Sequence, residues 1–331
     1  MRYESMPSCD SFGNVDGDAE SRIGFLLTPT FSILPFISAV EPLRAANRVS
    51  GRALYSWHVF SSDGQPVAAA NGMTQAAEAS IDEVASFPTV IVCGPHDPNR
   101  FDSPEIVHWL RRLARGGTRL GALDTGAYLL ARARLLDGYR CTIHWENLPG
   151  FTESFPNIGV SSELYEFDRN RFSCGGGTAA LDMMLTLIAT EQDRRLASMV
   201  SELFLHDNIR AAQEPQRMDL RLRLGIAHSG LLECIGLMEK NLEQPLLPAE
   251  LAARIGVSKR QLERLFRRYL VSTPARYYMD LRLQHGRQLL DQTAMPVTEV
   301  ALACGFASPG HFSYRYRALY GLSPRQSRHS A

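Results

Sequence analysis

A repeat in the last third of the chain constrains the fold more than any other feature of the sequence. Residues 250–256 (ELAARIG) are similar to residues 299–305 (EVALACG), and the seventeen residues that begin at Ser258 are similar to those that begin at Ser308. Each copy has the pattern of a short helix, a glycine suited to a positive φ, a serine suited to cap a helix, and a second helix. The repeat therefore predicts two similar pairs of helices, joined by a long helix over residues 275–290.

Two helices that meet at a glycine turn are typical of the helix-turn-helix motif. Two such units on one spine would place two recognition helices in successive segments of the DNA major groove, about 34 Å apart. Apolar residues at helical spacing predict the buried face of each recognition helix. These expected core residues are Leu262, Leu265 and Phe266 in the first copy, and Phe312, Tyr316 and Leu319 in the second.

The opposite face of the first recognition helix carries charged side chains that fit DNA. Arg forms a bidentate pair with guanine and Glu accepts from cytosine, so Arg260, Glu263 and Arg264 are expected to contact bases. The other cations are expected to hold phosphates, and the less basic second helix is expected to make fewer base contacts. The full set of expected DNA-binding residues is Ser258, Lys259, Arg260, Glu263, Arg264, Arg267, Arg268, Ser308, His311, Tyr314, Arg315 and Arg317.

The charge of the chain is divided in the same way. Acidic and basic side chains are equal in number, 35 each, but residues 241–331 contain thirteen Lys and Arg against six Asp and Glu. These residues therefore carry a net charge of +7, and residues 1–240 carry a net charge of −7. A charged helix face is often simply solvated, but the repeat, the turn motif and the local positive charge together favour binding to DNA.

Short apolar segments alternate with helical patterns through the first two thirds of the chain. Strand-like segments occupy residues 22–27, 55–61, 89–94 and 118–124, and a hairpin with a helix after it begins at Tyr165. Strands rich in Val, Ile and Leu that alternate with helices predict a parallel sheet covered on both faces. We therefore expect an α/β sandwich followed by an all-α domain.

The same patterns give the domain boundaries. Residues 1–21 are expected to be a flexible leader, residues 22–212 the α/β domain, and residues 231–331 the DNA-binding domain. Between them, residues 213–230 lose apolar periodicity and are interpreted as a linker. The arginines of this linker would suit DNA phosphates, but a solvated tether is the preferred interpretation.

Composition excludes several classes of protein. The chain has no apolar window of about 18 residues and begins with a polar, acidic segment, so we expect a cytoplasmic protein with no membrane span. The six cysteines are scattered, with no paired spacing and no cluster with histidine. We therefore expect no disulfide, no metal and no other cofactor.

The segment LGALDTGAYLLA, residues 120–131, has the pattern of a strand that turns sharply into a helix. Enzymes built in this way usually carry a nucleophile at the turn, where this chain carries Asp124. A carboxylate is the nucleophile in some enzymes, so Asp124 alone does not exclude catalysis. It is nevertheless a weaker nucleophile than a thiolate toward an acyl carbon, and at a helix N-terminus it is better suited to pair with a cation.

The last third of the chain resembles the DNA-binding domain of AraC/XylS-type transcription regulators. The resemblance covers residues 231–328 and includes both helix-turn-helix units and the joining helix. One position departs from the family pattern, because Val271 stands where glycine often follows the first recognition helix. A β-branched residue tolerates a left-handed cap poorly, so we expect this helix to end differently.

The first part resembles the PfpI-type branch of the class I glutamine amidotransferase-like superfamily. The resemblance covers residues 23–192 and includes EPLRAAN (41–47), VCGP (92–95), DTGAYLLARARLLDG (124–138) and TIHWE (142–146). It implies a flavodoxin-like parallel-sheet sandwich. Together, the two resemblances identify the chain as a member of the GlxA family of regulators, similar to members that sense betaine, carnitine or arginine-like nitrogen compounds.

The resemblance also implies where a ligand would bind. Asp124 takes the place of the superfamily's catalytic cysteine, Glu41 that of its acidic partner, and His144 follows the next turn. Two carboxylates in one pocket resist ionisation together unless a cation arrives, and aromatic rings attract quaternary ammonium groups. Phe31, Phe36 and Trp145 lie near these motifs. Phe36 is either part of such a pocket or simply core, and His144 is either a ligand contact or a structural hydrogen-bonding residue. The expected effector-binding residues are Glu41, Gly94, Asp124, Thr125, His144 and Trp145.

The resulting hypothesis is a sequence-specific transcription regulator, of the activator type, controlled by a small nitrogen-containing metabolite whose catabolism it controls. Its expected partners are promoter DNA, RNA polymerase, the effector and a second copy of the chain. The alternative is an amidase- or protease-type enzyme that uses the aspartate at the turn. A protein that only binds other proteins is disfavoured by the basic charge of the last third.

Overall fold

The computed structural model describes residues 20–330, which form two compact units. The first unit ends at Gln216 and the second begins at Arg217. The predicted leader, residues 1–21, lies outside the described residues apart from its last two, of which Ser21 begins the first strand. No helix in the described part of the chain is long and apolar enough to cross a membrane.

The first unit is a layered α/β fold. Its strands are β1 (Ser21–Leu27), β2 (Tyr55–Ser61), β3 (Val67–Ala68), β4 (Thr74–Gln75), β5 (Ala79–Ser80), β6 (Thr89–Cys93), β7 (Arg119–Leu123), β8 (Arg140–Thr142), β9 (Gly159–Ser161), β10 (Tyr165–Asp168) and β11 (Arg171–Cys174). Its helices are α1 (Ile33–Ser50), α2 (Pro104–Arg115), α3 (Gly126–Arg132), α4 (Leu148–Ser154), α5 (Ala179–Glu191) and α6 (Arg194–Leu203). One sheet has the order β10-β11-β7-β6-β1-β2-β5 and is parallel except between β10 and β11. The predicted fold class is confirmed.

Helices cover both faces of this sheet and bury two apolar layers. Successive side chains of a strand point to opposite faces, so Phe25 and Leu27 pack with α1, α5 and α6, whereas Leu26 packs in the layer that contains α2 and α3. All five residues of β6 are buried, as expected for a central parallel strand. The sheet is therefore a rigid base for the loops at its edges.

The carboxyl ends of three neighbouring strands lie at one edge of the sheet. The chain leaves β1 toward Ser32, β6 toward Gly94 and β7 toward Asp124. Ligands of open parallel sheets bind outside the carboxyl ends of the strands. This edge is therefore the place in the first unit where a small molecule is expected.

The second unit is all-α. Its helices are α7 (Leu220–Leu224), α8 (Ser229–Lys240), α9 (Pro248–Arg254), α10 (Lys259–Leu270), α11 (Pro274–Gln292), α12 (Val297–Ala303), α13 (Pro309–Tyr320) and α14 (Pro324–Ser330). The pairs α9/α10 and α12/α13 are the two predicted helix-turn-helix units, each with its own core. Helix α11 contributes Tyr278 to the first core and Leu289 to the second, so it joins the two units.

The recognition helices bury the expected apolar face, with one exception. Leu262 and Phe266 of α10, and Phe312 and Tyr316 of α13, are fully buried, and Leu265 is partly buried. The prediction that Leu319 is a core residue is wrong, because its side chain is 43% exposed. Its counterpart in the first copy, fifty residues earlier, is Tyr269, which is also exposed. This position lies at the margin of the apolar face in both copies.

Residues 213–230 are not a solvated tether, contrary to the expectation. The Gln216 side chain forms four hydrogen bonds with the first unit. Later in the segment, α7 packs against the core of the second unit and Ile226 is 4% exposed within it. The segment lacks an extended apolar periodicity because its first part is held by polar contacts and its helix has only five residues.

Helix α10 ends in a left-handed residue even though that residue is valine. Val271 has φ 50° and ψ 34°, and the amide of Ser272 donates to the carbonyl oxygen of Phe266 at 3.4 Å, closing the turn. The expectation that this helix ends differently is therefore wrong. The 92% exposed Val271 side chain meets little steric resistance from neighbours, although its backbone remains in a region unfavourable for β-branched residues. In the second copy, Gly321 holds the same place at φ 76°.

The two helix ends predict opposite effects of exchanging glycine and valine. Val271→Gly removes a left-handed strain of about 1–2 kcal/mol, partly offset by the greater freedom of glycine in the unfolded chain, and should stabilise the second unit by about 0.5–1 kcal/mol. Gly321→Val should destabilise it by a similar amount, roughly 0.5–1 kcal/mol, because the added strain of about 1–2 kcal/mol is partly offset by the lost freedom of glycine in the unfolded chain. Hydrogen exchange of peptides from the second unit in the full chain, measured against urea concentration, gives both values. Equal midpoints for both variants and the parent would refute the assignment of strain.

Candidate ligand site and nucleic-acid interface

The turn between β7 and α3 fixes Asp124 in an uncommon backbone conformation. Its φ is 55°, and its amide donates to the carbonyl oxygen of Cys174 at 3.1 Å. The next residue, Thr125, is buried, and its hydroxyl donates to the carbonyl oxygen of Pro95 at 2.6 Å. These bonds connect the turn to the neighbouring strand ends on both sides.

Two glycines allow the strand ends to come this close. A side chain on Gly94 would collide with the backbone of Thr125 and Gly126, and a side chain on Gly126 would collide with the carbonyl oxygen of Val92. Gly94 and Thr125, both expected to be site residues, are therefore brought together with Asp124. Both shape the turn that carries the carboxyl group.

The Asp124 carboxyl group is enclosed by groups from several loops. Burial raises the pKa of Asp124 above its ordinary value, which is the largest effect. Positive charge on His144, a hydrogen bond from Ser32 and positive charge on His96 each lower this pKa, and the negative charge of Glu146 raises it. A carboxylate in this position is incompletely compensated by the protein and would be stabilised by a further cation.

His144 and Trp145 lie on the loop that follows β8. The His144 ring is about 5.6 Å from the Trp145 ring, and its Nδ1 atom is 3.7 Å from a carboxylate oxygen of Glu146. The backbone amide of Trp145 donates to the side chain of Gln216 at 2.8 Å. Both rings are half-buried, so the loop presents an imidazole and an indole at the margin of the site.

A glycine loop forms another wall. Gly176 and Gly177 have φ values of 87° and 56°, and a side chain on Gly176 would lie 3.0 Å from the Cβ atom of Asp124. The loop therefore packs directly against the Asp124 side chain. Glycine suits position 176 because the φ is positive and because a Cβ atom would crowd Asp124.

Glu41 does not stand beside Asp124, contrary to the expectation. It lies nine residues beyond Ser32 in α1, about 14 Å farther along the helix axis, and its carboxylate pairs with Arg44 at 2.5 Å. Glu146 supplies the second negative charge near Asp124 instead. Sequence reasoning also missed His96 and Ser32, although Glu146 ends the TIHWE motif and His96 directly follows VCGP.

The phenylalanines that follow β1 are core residues. Phe31 and Phe36 are buried and pack edge to face with ring centroids 5.7 Å apart, and Phe36 packs in the same way on Phe25. Of the aromatic residues considered for the site, Trp145 therefore has the most exposed position.

The cysteines nearest to the turn do not supply a thiolate. Cys93 and Cys174 are free and buried. Burial raises the pKa of Cys93 well above its ordinary value and that of Cys174 to about 12. Both side chains are therefore neutral thiols at physiological pH, whereas a nucleophilic cysteine needs the opposite shift.

The first recognition helix presents its charges to solvent. Ser258 accepts from the Gln261 amide at 3.2 Å, while the Gln261 side chain accepts from the Ser258 amide, which fixes the start of α10. Glu263 is half-buried. None of the exposed cations of α10 forms an ion pair within the described part of the chain: Lys259, Arg260, Arg264, Arg267 and Arg268. Their charge is therefore available to a polyanion.

The second recognition helix is similar in shape but carries less charge. Ser308 accepts from the His311 amide at 3.4 Å and so begins α13. The Arg315 side chain donates to the His311 ring at 3.3 Å, and Tyr314 is 70% exposed. Arg317 is also exposed. The structure therefore gathers all expected residues of each recognition helix at its start and along its outward face.

Comparisons with known proteins agree with both halves of this description. The DJ-1/PfpI family matches residues 21–190, and the helix-turn-helix domain family matches residues 251–330. The chain is 49% identical over 306 residues to the HTH-type transcriptional regulator GbdR of Pseudomonas aeruginosa, covering 92% of this chain and 83% of the relative. It is 48% identical over 304 residues to the regulator CdhR of the same species, with 92% and 90% covered.

A solved structure supports the same assignment. An AraC family transcriptional regulator from Pseudomonas putida superposes with a TM-score of 0.52 and 30% identity over 56% of this chain and 99% of that protein. The relatives are regulators of transcription, and the predicted combination of domains is confirmed. The chain belongs to the GlxA-type transcription regulators, in which a DJ-1/PfpI domain precedes an AraC-type helix-turn-helix domain.

Proposed function

We propose that this regulator binds a small nitrogen-containing cation at Asp124 and that the ligand controls how its helix-turn-helix units act on a promoter. The observation that carries the proposal is the half-buried Asp124 carboxyl group at the turn where related enzymes hold a nucleophile. Desolvation raises the pKa of this carboxyl group. A betaine, carnitine or a basic amino acid has the chemistry to occupy such a site. The regulated genes would then serve the catabolism of that compound.

The surroundings of Asp124 support a cationic rather than an anionic ligand. Its carboxylate and that of Glu146 are the negative groups of the site, and an ammonium or guanidinium group would offset the cost of burying the first of them. The indole of Trp145 offers a face to a quaternary ammonium group. Gly94 and Thr125 hold the turn, and His144 lies near enough to Asp124 to affect its pKa and is next to Trp145 in the chain.

The arrangement of α10 and α13 supports binding to two major-groove segments. Arg260, Glu263 and Arg264 are the candidates for base contacts, and the other exposed cations of α10 are the candidates for phosphate contacts. The fewer charges of α13 suit a half-site with weaker sequence requirements. In the activator mechanism that we favour, a homodimer binds the promoter through these units and thereby controls transcription by RNA polymerase.

Replacing Asp124 should separate ligand response from DNA binding. Asp124→Asn keeps the shape and tolerates a positive φ, but it removes the charge that would hold a cation. We expect the effector to bind at least about 30-fold more weakly, while operator affinity without effector changes less than about twofold. Because burial disfavours the ionised carboxyl group, the variant should also unfold at a higher temperature than the parent. Calorimetric titration, operator binding and thermal unfolding measure the three quantities.

A matched control is Asp137→Asn, which changes an exposed carboxylate paired with Arg134 in the same unit. It should alter neither ligand affinity nor operator affinity. Glycine betaine, L-carnitine and L-arginine serve as probes. If Asp124→Asn binds the active probe as tightly as the parent does, Asp124 is not the cation contact.

Two arginines of α10 should differ in their effect on DNA binding. Arg264→Ala removes a candidate base contact and should weaken binding to a selected operator by about 1–3 kcal/mol while leaving binding to unrelated DNA nearly unchanged. Arg267→Ala removes a candidate phosphate contact and should weaken both kinds of binding and reduce the salt dependence by about one charge. Fluorescence anisotropy over a range of salt concentrations compares the two. Identical behaviour of both variants on both DNAs would contradict this division of roles.

A further inference from the structure

The last residue of the first unit is bound into the wall of the ligand site. The Gln216 side-chain amide donates to the Thr142 hydroxyl at 2.9 Å, to the carbonyl oxygen of Ile143 at 2.9 Å and to that of Glu163 at 2.8 Å. Its oxygen accepts from the Trp145 amide at 2.8 Å. One side chain therefore joins three backbone positions and a hydroxyl group from separate loops.

Gln216 is also in direct contact with the glycine loop. An added side chain on Gly175 would lie 2.5–2.7 Å from the Gln216 amide group, so the amide occupies the space that a residue with a Cβ atom would need. Gly176, the next residue, packs on the Asp124 side chain. Two short routes thus lead from Gln216 to Asp124, one through the glycine loop and one through Trp145 and His144.

The segment that ends at Gln216 is held upstream as well. The fully buried Asp182 carboxylate accepts from the Arg210 side chain at 2.6 and 2.9 Å, from the Arg210 amide at 2.8 Å and from the His206 ring at 2.8 Å. The Arg210 side chain is therefore held in place by several hydrogen bonds. Gln216, six residues later, is again held by several hydrogen bonds, and the second unit begins at Arg217. The chain continues directly from Gln216 into the second unit.

We propose that Gln216 couples the effector site to the DNA-binding unit. The inference rests on the proposed function, since it concerns the regulation of the same site. A ligand that contacts Asp124, His144 or Trp145 repositions the loops that the Gln216 amide holds together. The four hydrogen bonds cannot all survive such a shift, so the position of the following segment depends on whether the site is occupied. Ligand affinity and operator affinity are then linked reciprocally.

Two variants break this contact by different means. Gln216→Glu is nearly isosteric but places a carboxylate oxygen against the carbonyl oxygens of Ile143 and Glu163. Gly175→Ala leaves Gln216 unchanged and forces its amide group out, and the backbone of residue 175 accepts alanine because its φ is not positive. Gln213→Glu is the control, since it makes the same charge change on an exposed side chain in the same segment.

The experiment measures linkage in the full-length protein. Operator affinity is measured by fluorescence anisotropy with and without a saturating probe, and probe affinity by calorimetry with and without operator. The operator is DNA enriched by the protein from a random library, and the probes are glycine betaine, L-carnitine and L-arginine. In the parent and in Gln213→Glu, each ligand should change the affinity of the other by the same factor, roughly 5- to 150-fold. In Gln216→Glu and Gly175→Ala this factor should fall below about twofold, while both ligands still bind.

Several outcomes decide the matter. Parental linkage in both variants would overturn the proposal, and so would a loss of probe binding in both, because Gln216 would then build the site without coupling it. If Gln216→Glu fails to fold, Gly175→Ala decides alone. A parent protein that binds operator but none of the probes contradicts the proposed effector class rather than the role of Gln216. Failure of the proposed function is therefore distinguishable from failure of the coupling proposal.

Discussion

The close approach of β6 and β7 at their carboxyl ends is the constraint on which the proposed ligand site depends. Gly94 and Gly126 permit this approach, and the Thr125 hydroxyl secures it through Pro95. The turn has little freedom once these contacts are made, so Asp124 adopts a positive φ and its carboxyl group is enclosed. The packing of the turn thus fixes the backbone from which the Asp124 side chain extends.

The same geometry serves different chemistry when one residue changes. A thiol at such a turn gains from nearby amides as it loses its proton, whereas a carboxyl group there is dominated by burial, which raises the pKa of Asp124. The buried thiols of Cys93 and Cys174 are too weakly acidic to supply a nucleophilic thiolate in its place. The fold therefore keeps the turn and the loops around it, while the residue at the turn is a carboxyl group whose ionisation is opposed by burial.

Patterns of local order were predictable from the sequence, whereas distances across the fold were not. The repeat around Ser258 and Ser308 predicted both helix-turn-helix units, since caps and apolar faces are local properties. Glu41 was misplaced because it lies nine residues beyond Ser32, and the rise of α1 over that length separates it from Asp124. Val271 was misjudged because a strained cap persists when the rest of the helix specifies it, and Gln216 was missed because a single polar anchor leaves no periodic pattern.

Helix α11 sets the relative position of the two helix-turn-helix units. Its nineteen residues span about 28 Å and supply side chains to the cores on both sides, Tyr278 to one and Leu289 to the other. Inserting or deleting one residue between them would turn one core relative to the other by about 100°. The helix therefore fixes the relative rotation and separation of the two helix-turn-helix units, and with them the spacing of the two DNA segments that we propose they contact.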